Sequence, residues 1–208
     1  MTEYVAVIIG SYLIGSIPWG LIAGKLRGVD VRKYGSGSIG TTNVLRTIGT
    51  KSAVVVLGLD VLKGVTAILI GHYVIGSPMG EMAAGFAAIA GHDWSLFLKF
   101  KGGRGVATSL GALLPMAMPA PLSGVIGLAV FVLVALASRY VSLASIVGSL
   151  AAVAAMGAFW AVDRAPWQYF VFIGVAVALI IFQHRDNITR LLSGKESKLG
   201  QKGEKRQI

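Results

Sequence analysis

The 208-residue chain contains no cysteine and only three histidines. Without cysteine there can be no disulfide, no thiolate metal site and no thiol nucleophile. The histidines form no His-x-x-x-His pair, and no glutamate-rich helix accompanies them, so the sequence offers no metal site. We therefore expect neither a metal nor another cofactor.

Charged residues are also scarce, at 13% of the chain, whereas 55% of the residues are hydrophobic. A soluble domain carries about a quarter charged residues. Long apolar runs with few charges predict transmembrane helices. The first run opens with Glu3 and lacks a basic flank, so we predict a spanning helix there and not a cleavable signal peptide.

Seven apolar segments approach the ~20 residues that a bilayer requires. The fourth and fifth are the shortest, and only the proline-rich segment 115–121 separates them, which we interpret as a tight turn. The predicted fold is an all-α membrane protein with seven transmembrane helices. The predicted spans are 4–24, 53–76, 80–98, 105–120, 122–138, 142–162 and 166–183.

The net charge of +10 would suggest a nucleic-acid partner for a soluble protein. Here the charges lie between apolar segments, and we expect no nucleic acid. The connections between successive spans alternate between the two sides of the membrane and so form two sets. One set holds every lysine and arginine except Arg164, which lies in the other set, and Lys63, which lies within a span. The positive-inside rule places that set in the cytoplasm, with the N-terminus outside and the C-terminus inside. We expect one transmembrane domain, 1–194, and a disordered basic cytoplasmic tail, 195–208.

The richest polar segment on the predicted cytoplasmic side is Gly35–Asn43, followed by Arg46. It matches G-x-G-x-x-G, but membrane spans flank it where a dinucleotide site needs a strand and a helix. Glycines let backbone N–H groups converge on an anion, and a following helix adds its positive end. The alternative is a flexible loop with a helix cap at Thr42 or Asn43. Glycine, hydroxyl and arginine together favour the anion site.

A second glycine-rich segment, Lys101–Gly105, is not a Walker A motif. Lysines there could simply extend from a helix end to the interface. Arg104 differs because three glycines surround it and expose backbone, so we predict that it binds an anionic substrate.

His92 and His184 each stand at the start of a polar segment. Each histidine is either an interfacial hydrogen-bonding residue or a general base. Position 97 is Phe and position 189 is Thr, so neither histidine belongs to the His-x-x-x-x-Asp dyad of many lipid acyltransferases. Asp60 and Lys63 are three residues apart within a span. Because charges within a membrane are costly, we predict a structural ion pair, with direct substrate contact by Lys63 as the alternative.

Short motifs follow one another along essentially the whole chain. They are Ser16–Gly20, Gly35–Asn43, Asp60–Gly64, His92 with Phe97 and Gly102–Thr108, Arg139–Leu143, and His184–Leu191 with Gly194 and Glu196. In this order they resemble the bacterial integral-membrane acyl-phosphate:glycerol-3-phosphate acyltransferases, the PlsY family. The resemblance implies seven spans with the N-terminus outside, in the bacterial inner (plasma) membrane.

The resemblance further implies transfer of an acyl chain from acyl phosphate, not acyl-CoA, to the 1-hydroxyl of glycerol-3-phosphate. The products would be lysophosphatidic acid and phosphate. We expect direct attack by the acceptor hydroxyl, with a substrate phosphate as a possible base, and a monomer in the lipid bilayer. The implied catalytic residues, which would hold the donor phosphate, are Ser36, Arg46, Arg104 and Ser142. The implied substrate-binding residues are Gly37, Gly40, Thr42, Asn43, Lys63, His92, Gly103, His184 and Asn187.

The chain departs from the usual family pattern at three positions. Ser38 replaces asparagine, Thr41 replaces alanine, and Arg104 replaces lysine. Arginine stays protonated, so the change at position 104 favours a phosphate clamp over proton transfer.

A membrane transporter or channel for an organic phosphate is the alternative function. Transporters often carry internal repeats and a midplane site, whereas this chain shows no repeat and groups its polar segments on one side. A scaffolding protein would not need these segments.

Overall fold

The computed structural model describes residues 1–205, which are helical except for loops and one isolated bridge between Tyr34 and Lys205. The predicted all-α class is confirmed for this range. The helices are α1 (Thr2–Ser16), α2 (Trp19–Leu26), α3 (Thr41–Ile48), α4 (Thr50–Ile75), α5 (Pro78–Asp93), α6 (Val106–Leu113), α7 (Ala120–Ser138), α8 (Val141–Ala161), α9 (Trp167–Gln183) and α10 (Arg185–Leu192). Two 3-10 turns lie at Val31–Lys33 and Leu96–Leu98.

Four helical segments of residues 1–205 are long and apolar enough to cross a membrane. A fifth is reached when α9 and α10, which meet at 57°, are taken as one bent span. The four segments are Thr2–Leu26, which joins α1 and α2, Thr50–Ile75, Ala120–Ser138 and Val141–Ala161.

Two of the seven predicted spans are shorter as helices than the sequence pattern suggests. Helix α5 has 16 residues and α6 has 8. At 1.5 Å per residue these helices measure about 24 and 12 Å, less than the ~30 Å hydrocarbon core. The predicted span 105–120 is helical only over Val106–Leu113, because the prolines at 115 and 119 lack the N–H that would continue the helix.

The first span is broken where Pro18 follows Ile17. Because proline has no N–H and restricts the preceding residue, α1 ends at Ser16 and α2 begins at Trp19. The break leaves carbonyl groups inside the bundle that need other partners. Two of them accept hydrogen bonds from Lys63 Nζ, at 3.0 Å to Gly15 O and 3.0 Å to Ile17 O.

The helices pack closely where glycines face neighbouring backbones. A Cβ atom on Gly64 of α4 would overlap the carbonyl oxygen of Thr108 on α6, and one on Gly111 of α6 would overlap that of Val61 on α4. Small residues at such crossings let helices approach without a hydrophobic driving force. This approach holds α6 against α4 next to the loop that carries Arg104.

Residues after α10 return across the ends of the helices. Arg46 Nη2 donates to Ser197 O at 2.9 Å, Leu199 N donates to Arg139 O at 2.7 Å, and Gly35 N donates to Glu204 O at 2.9 Å. The described part of the predicted tail therefore has defined contacts with the polar loops. Residues 206–208 of that tail lie outside the described residues, and its disorder stays a prediction.

We expect Gly64→Ala to destabilise the fold by about 1–3 kcal/mol, because the new methyl group meets the α6 backbone. Gly58→Ala on the same helix is the matched control, since its Cβ meets no atom within 4 Å. Alanine favours helix over glycine, so Gly58→Ala should leave stability unchanged or raise it. The check is the thermal unfolding midpoint in detergent. Equal midpoints for the two variants would contradict the close α4–α6 contact.

Candidate active site

One cavity of about 420 Å³ opens among the polar loops and continues between the helices. Its polar lining comes from the loop before α3 and from α3 itself, from the end of α5, the loop before α6 and the start of α8, and from His184 and α10 with the segment that follows it. These elements are far apart in sequence, and the fold brings them to one end of the bundle. The polar lining residues of these elements are Ser36, Ser38, Thr41, Thr42, Asn43, Arg46, His92, Arg104, Ser142, His184, Asn187 and Glu196, and Asp60, Ser109, Ser145 and Ser149 add polar groups farther along the helices.

The rest of the cavity is mostly apolar and runs along the helix axes. It is lined from Ser142 to Ala152 on α8 and from Phe172 on α9 to His184. Ten to twelve helical residues correspond to about 15–18 Å. Its walls are formed by glycines of α7 and α8 and by large apolar side chains of α6, α7 and α9. The polar end of the cavity therefore leads into an apolar channel.

Asn43 organises the first loop. Its Oδ1 accepts from Ser36 N at 3.0 Å, and its Nδ2 donates to Val31 O at 2.9 Å and to Ser38 O at 2.8 Å. The side chain is buried and its hydrogen-bonding groups are used within the loop. Asn43 was predicted to bind substrate; the contacts favour a role in shaping the loop.

The backbone N–H groups of the glycine-rich loop are largely engaged. Five of those at 35–40 already donate within residues 1–205, to Glu204 O, Tyr34 O and side-chain oxygens of the loop. The expected convergence of these groups on an anion is therefore absent from the described chain. The cavity is lined instead by Gly40, Thr41 and Thr42 at the start of α3, where the positive helix end lies. No flanking strand is present in residues 1–205, as a dinucleotide site would require.

Arginines give the polar end an excess of positive charge. Burial lowers the pKa of the Arg104 guanidinium to about 10, and the positive charge of Arg190 adds to the shift. Burial also lowers the pKa of Arg46, partly offset by the carboxylate of Glu196. Both groups remain cationic at neutral pH, and Arg46 Nε is buried without a hydrogen-bond partner in residues 1–205. An anion entering this end would relieve the repulsion between the cationic groups.

His184 and Asn187 line the cavity, and each carries an acceptor without a donor in the described part of the chain. His184 Nδ1 lies 2.7 Å from Ile180 O. A carbonyl oxygen only accepts, so the neutral ring carries its proton on Nδ1 and its lone pair on Nε2. Asn187 Oδ1 is buried without a donor among residues 1–205. Two acceptors beside cationic groups suit a ligand that carries both an anion and a hydroxyl.

Glu196 joins the site residues Ser142 and Asn187 to Arg190 and was not predicted as a site residue. Its Oε1 accepts from Ser142 Oγ at 2.7 Å and Asn187 Nδ2 at 2.6 Å, and its Oε2 accepts from Arg190 Nε at 2.7 Å. Burial alone would raise the pKa of the Glu196 carboxyl, but the three hydrogen bonds together hold it below its ordinary value. A lone glutamate in a basic tail gives no signal of this role; only its place in the last motif could have drawn notice.

Comparison with known proteins identifies the family. The family model for glycerol-3-phosphate acyltransferase matches residues 5–194. The chain belongs to this family. A glycerol-3-phosphate acyltransferase of Thermoanaerobacter sp. (strain X514) is 50% identical over 195 residues, which cover 93% of this chain and 94% of that protein.

Two crystal structures of a glycerol-3-phosphate acyltransferase match the fold. Both are of PlsY (YgiH), an integral membrane glycerol 3-phosphate acyltransferase. The glycerol 3-phosphate form is 40% identical, with a TM-score of 0.85 over 95% of this chain and 96% of that chain. The lysophosphatidic acid form is 39% identical, with a TM-score of 0.83 over 95% of each chain. Together with the apolar helices, this match shows a multi-pass integral membrane protein.

The fold brings together ten of the thirteen residues that the sequence assigned to the acyltransferase site. Gly37 and Gly103 belong to the loops but lie outside the cavity lining. Lys63 also lies outside the lining, and its Nζ is 2.9 Å from Asp60 Oδ1, so the predicted ion pair is present. The ten that line the cavity are Ser36, Gly40, Thr42, Asn43, Arg46, His92, Arg104, Ser142, His184 and Asn187.

We expect Glu196→Gln to lower stability at neutral pH by about 1–3 kcal/mol, because charge-assisted hydrogen bonds become neutral ones. The lowered pKa sets the pH dependence: the carboxylate stabilises the fold above its ordinary value of 4.5, and this contribution is lost as the pH falls through the folded-state pKa. The difference in unfolding midpoint between wild type and Glu196→Gln should therefore shrink in acid. Glu204→Gln, at an exposed side chain, is the control. A difference that is constant with pH would contradict the assignment.

Proposed function

We propose that the protein transfers an acyl chain from acyl phosphate to the 1-hydroxyl of glycerol-3-phosphate, giving lysophosphatidic acid and phosphate. The observation that carries this proposal is the cavity itself. A cationic end opens into an apolar channel, and an acyl phosphate has the same two parts, a phosphate and a hydrocarbon chain. Family membership supports glycerol-3-phosphate as the acceptor.

The donor phosphate binds at the cationic end in this proposal. Arg46 and Arg104 supply guanidinium groups, whose planar fork of donors matches phosphate oxygens. Ser36 adds a hydroxyl donor from the cavity lining, and the Ser142 hydroxyl, which donates to Glu196 Oε1 in the structure, turns to the phosphate when it binds. The acyl chain then extends between α6, α7, α8 and α9, where the walls are apolar.

The acceptor lies between His184 and Asn187. The Nε2 lone pair of His184 and the free Oδ1 of Asn187 accept hydrogen bonds from glycerol hydroxyl groups. Arg104, which lines the same cavity, also contacts the acceptor's phosphate in this proposal. Holding the hydroxyl beside an activated acyl group supplies rate through proximity and orientation.

Transfer is direct in this proposal. The 1-hydroxyl oxygen attacks the acyl carbonyl carbon and forms the ester bond, while the bond from that carbon to the bridging phosphate oxygen breaks. The electron pair leaves with the phosphate, and the hydroxyl proton ends on that phosphate, whose second pKa is about 6. Cationic groups stabilise the departing charge. Ser142 does contact a carboxylate, but the lowered pKa of Glu196 makes it a weak base for activating a serine.

The same proposal includes the arrangement in the membrane. Seven segments embed in the bacterial inner membrane with the N-terminus outside, and the two short helices, α5 and α6, are completed by the loops that flank them. The cavity then opens to the cytoplasm, where glycerol-3-phosphate is dissolved. Residues 1–194 act as one catalytic domain and a monomer, with the basic tail at the anionic membrane surface.

Purified protein in lipid should form lysophosphatidic acid and phosphate from acyl phosphate and glycerol-3-phosphate, and nothing from acyl-CoA. Product from acyl-CoA would overturn the donor site. No product from either donor, together with uptake of glycerol-3-phosphate into vesicles, would favour the transporter. Direct attack is tested by incubating the protein with acyl phosphate in the absence of glycerol-3-phosphate and measuring the protein by mass spectrometry. An acylated Ser142 would contradict direct attack.

Arg104→Ala should reduce kcat/KM by about 100-fold or more, since it removes a charged ligand of the phosphate. Arg104→Lys should retain much of the activity, because lysine keeps the charge. Steady-state kinetics with varied acyl phosphate give the comparison, and Lys101→Ala, at an exposed cation of the same loop, is the control. If Arg104→Lys falls as far as Arg104→Ala, the fork geometry carries the role; if neither falls, Arg104 is no clamp.

A further inference from the structure

We infer that His92 is a fixed hydrogen-bond donor to the anionic group in the cavity, held in one tautomer by Lys63 and Asp60. The identity of that group as a substrate phosphate rests on the proposed function. The orientation of the ring rests on contacts within the protein alone.

Lys63 is the centre of the arrangement. Its side chain is 2% exposed, and its Nζ lies 3.0 Å from Gly15 O, 3.0 Å from Ile17 O, 2.9 Å from Asp60 Oδ1 and 3.0 Å from His92 Nδ1. The Asp60 carboxylate, also buried, favours the ammonium form. The four partners come from α1, the α1–α2 break, α4 and α5, so the position of Nζ is set by three helices.

The contact with Lys63 decides where the His92 ring carries its proton. The three hydrogens of the ammonium group are shared among four acceptors, and because an ammonium cannot accept, the His92 Nδ1 that faces it at 3.0 Å is the ring nitrogen with the lone pair. The proton of the neutral ring then sits on Nε2. Asp60 Oδ1 lies 3.7 Å from Nδ1, beyond hydrogen-bond distance, and leaves Lys63 as the direct partner.

The protonated Nε2 lies against the loop that carries Arg104. It packs against Gly103, where any Cβ atom would overlap the imidazole, and Gly103 N donates to His92 O at 2.9 Å. His92 and Arg104 both line the cavity, and among residues 1–205 the hydrogen bond of the His92 ring is made by Nδ1 and none by Nε2. Glycine at 103 therefore lets the ring approach the loop that carries Arg104, and leaves a donor for a ligand.

The two histidines of the cavity have opposite hydrogen-bonding roles at Nε2. His184 Nδ1 donates to a carbonyl, which leaves Nε2 as an acceptor, whereas His92 Nδ1 accepts from an ammonium, which leaves Nε2 as a donor. One ring therefore suits a hydroxyl and the other suits an anion. His92 cannot act as a general base through Nε2, while Lys63 and Asp60 are positioning residues.

Substitutions at His92 separate a donor from a structural role. In His92→Gln the amide reaches the Nε2 position and keeps a donor toward the cavity, but loses the contact with Lys63. In His92→Asn the amide oxygen keeps the Lys63 contact, but no donor reaches the cavity. We expect His92→Gln to retain most of kcat/KM and His92→Asn to lose about 10- to 100-fold. A structural role predicts the reverse order, and that order would overturn the proposal, as would equal activity. Unfolding midpoints of both variants show that they fold.

The tautomer of His92 can be determined by NMR without an activity assay. The full chain labelled with ¹⁵N-histidine has only three rings to assign, with His92→Gln identifying its own signals. NMR in lipid nanodiscs should show a neutral His92 ring with the proton on Nε2, and a shift of that signal on adding glycerol-3-phosphate. In Lys63→Met the Nε2–H form should decrease. A proton on Nδ1 in wild type, or a signal that glycerol-3-phosphate does not move, would overturn the inference. A wild-type protein that shows the expected tautomer but no acyl transfer would contradict the proposed function and leave the tautomer assignment intact.

Discussion

The buried ammonium group of Lys63 is the constraint on which the rest of the structure depends. A cation inside an apolar bundle is costly unless every hydrogen has a partner. Here the partners are two carbonyls freed by the break at Pro18, the carboxylate of Asp60 and the ring of His92. Satisfying one charge thus fixes α1, α4 and the end of α5 relative to one another. The loop that carries Arg104 then packs directly on that end.

The second constraint is electrostatic. Arg46, Arg104 and Arg190 lie close enough to influence one another, and the tail carboxylate of Glu196 offsets only part of their charge. The same carboxylate orders Ser142 and Asn187. The polar end therefore carries uncompensated positive charge that favours the binding of an anion. The channel behind it has apolar walls that suit a hydrocarbon chain. A lipid-forming reaction that begins with a water-soluble phosphate needs both.

Local pattern was sufficient for part of this account. Apolar runs predicted an all-helical membrane protein, and the spacing of Asp60 and Lys63 predicted their ion pair. Helix α6 ended earlier than its hydropathy suggested, because apolar residues continue past the point where prolines remove the helical N–H groups. The glycine-rich loop used its own N–H groups internally, which depends on Asn43 reaching back across the loop. Glu196 became a site residue through contacts with α10 and with Ser142 of α8, and the pairing with Ser142 spans 54 residues, so local composition does not predict it.

The most direct test of the central claim is binding of glycerol-3-phosphate and of glycerol to the protein in nanodiscs, measured by calorimetry. The cationic end predicts saturable binding of glycerol-3-phosphate that weakens with salt and is lost in the Arg46→Ala, Arg104→Ala double variant, with no binding of glycerol. Glycerol binding as tightly as glycerol-3-phosphate, or binding that survives loss of both arginines, would contradict the claim that this end of the bundle is a phosphate site.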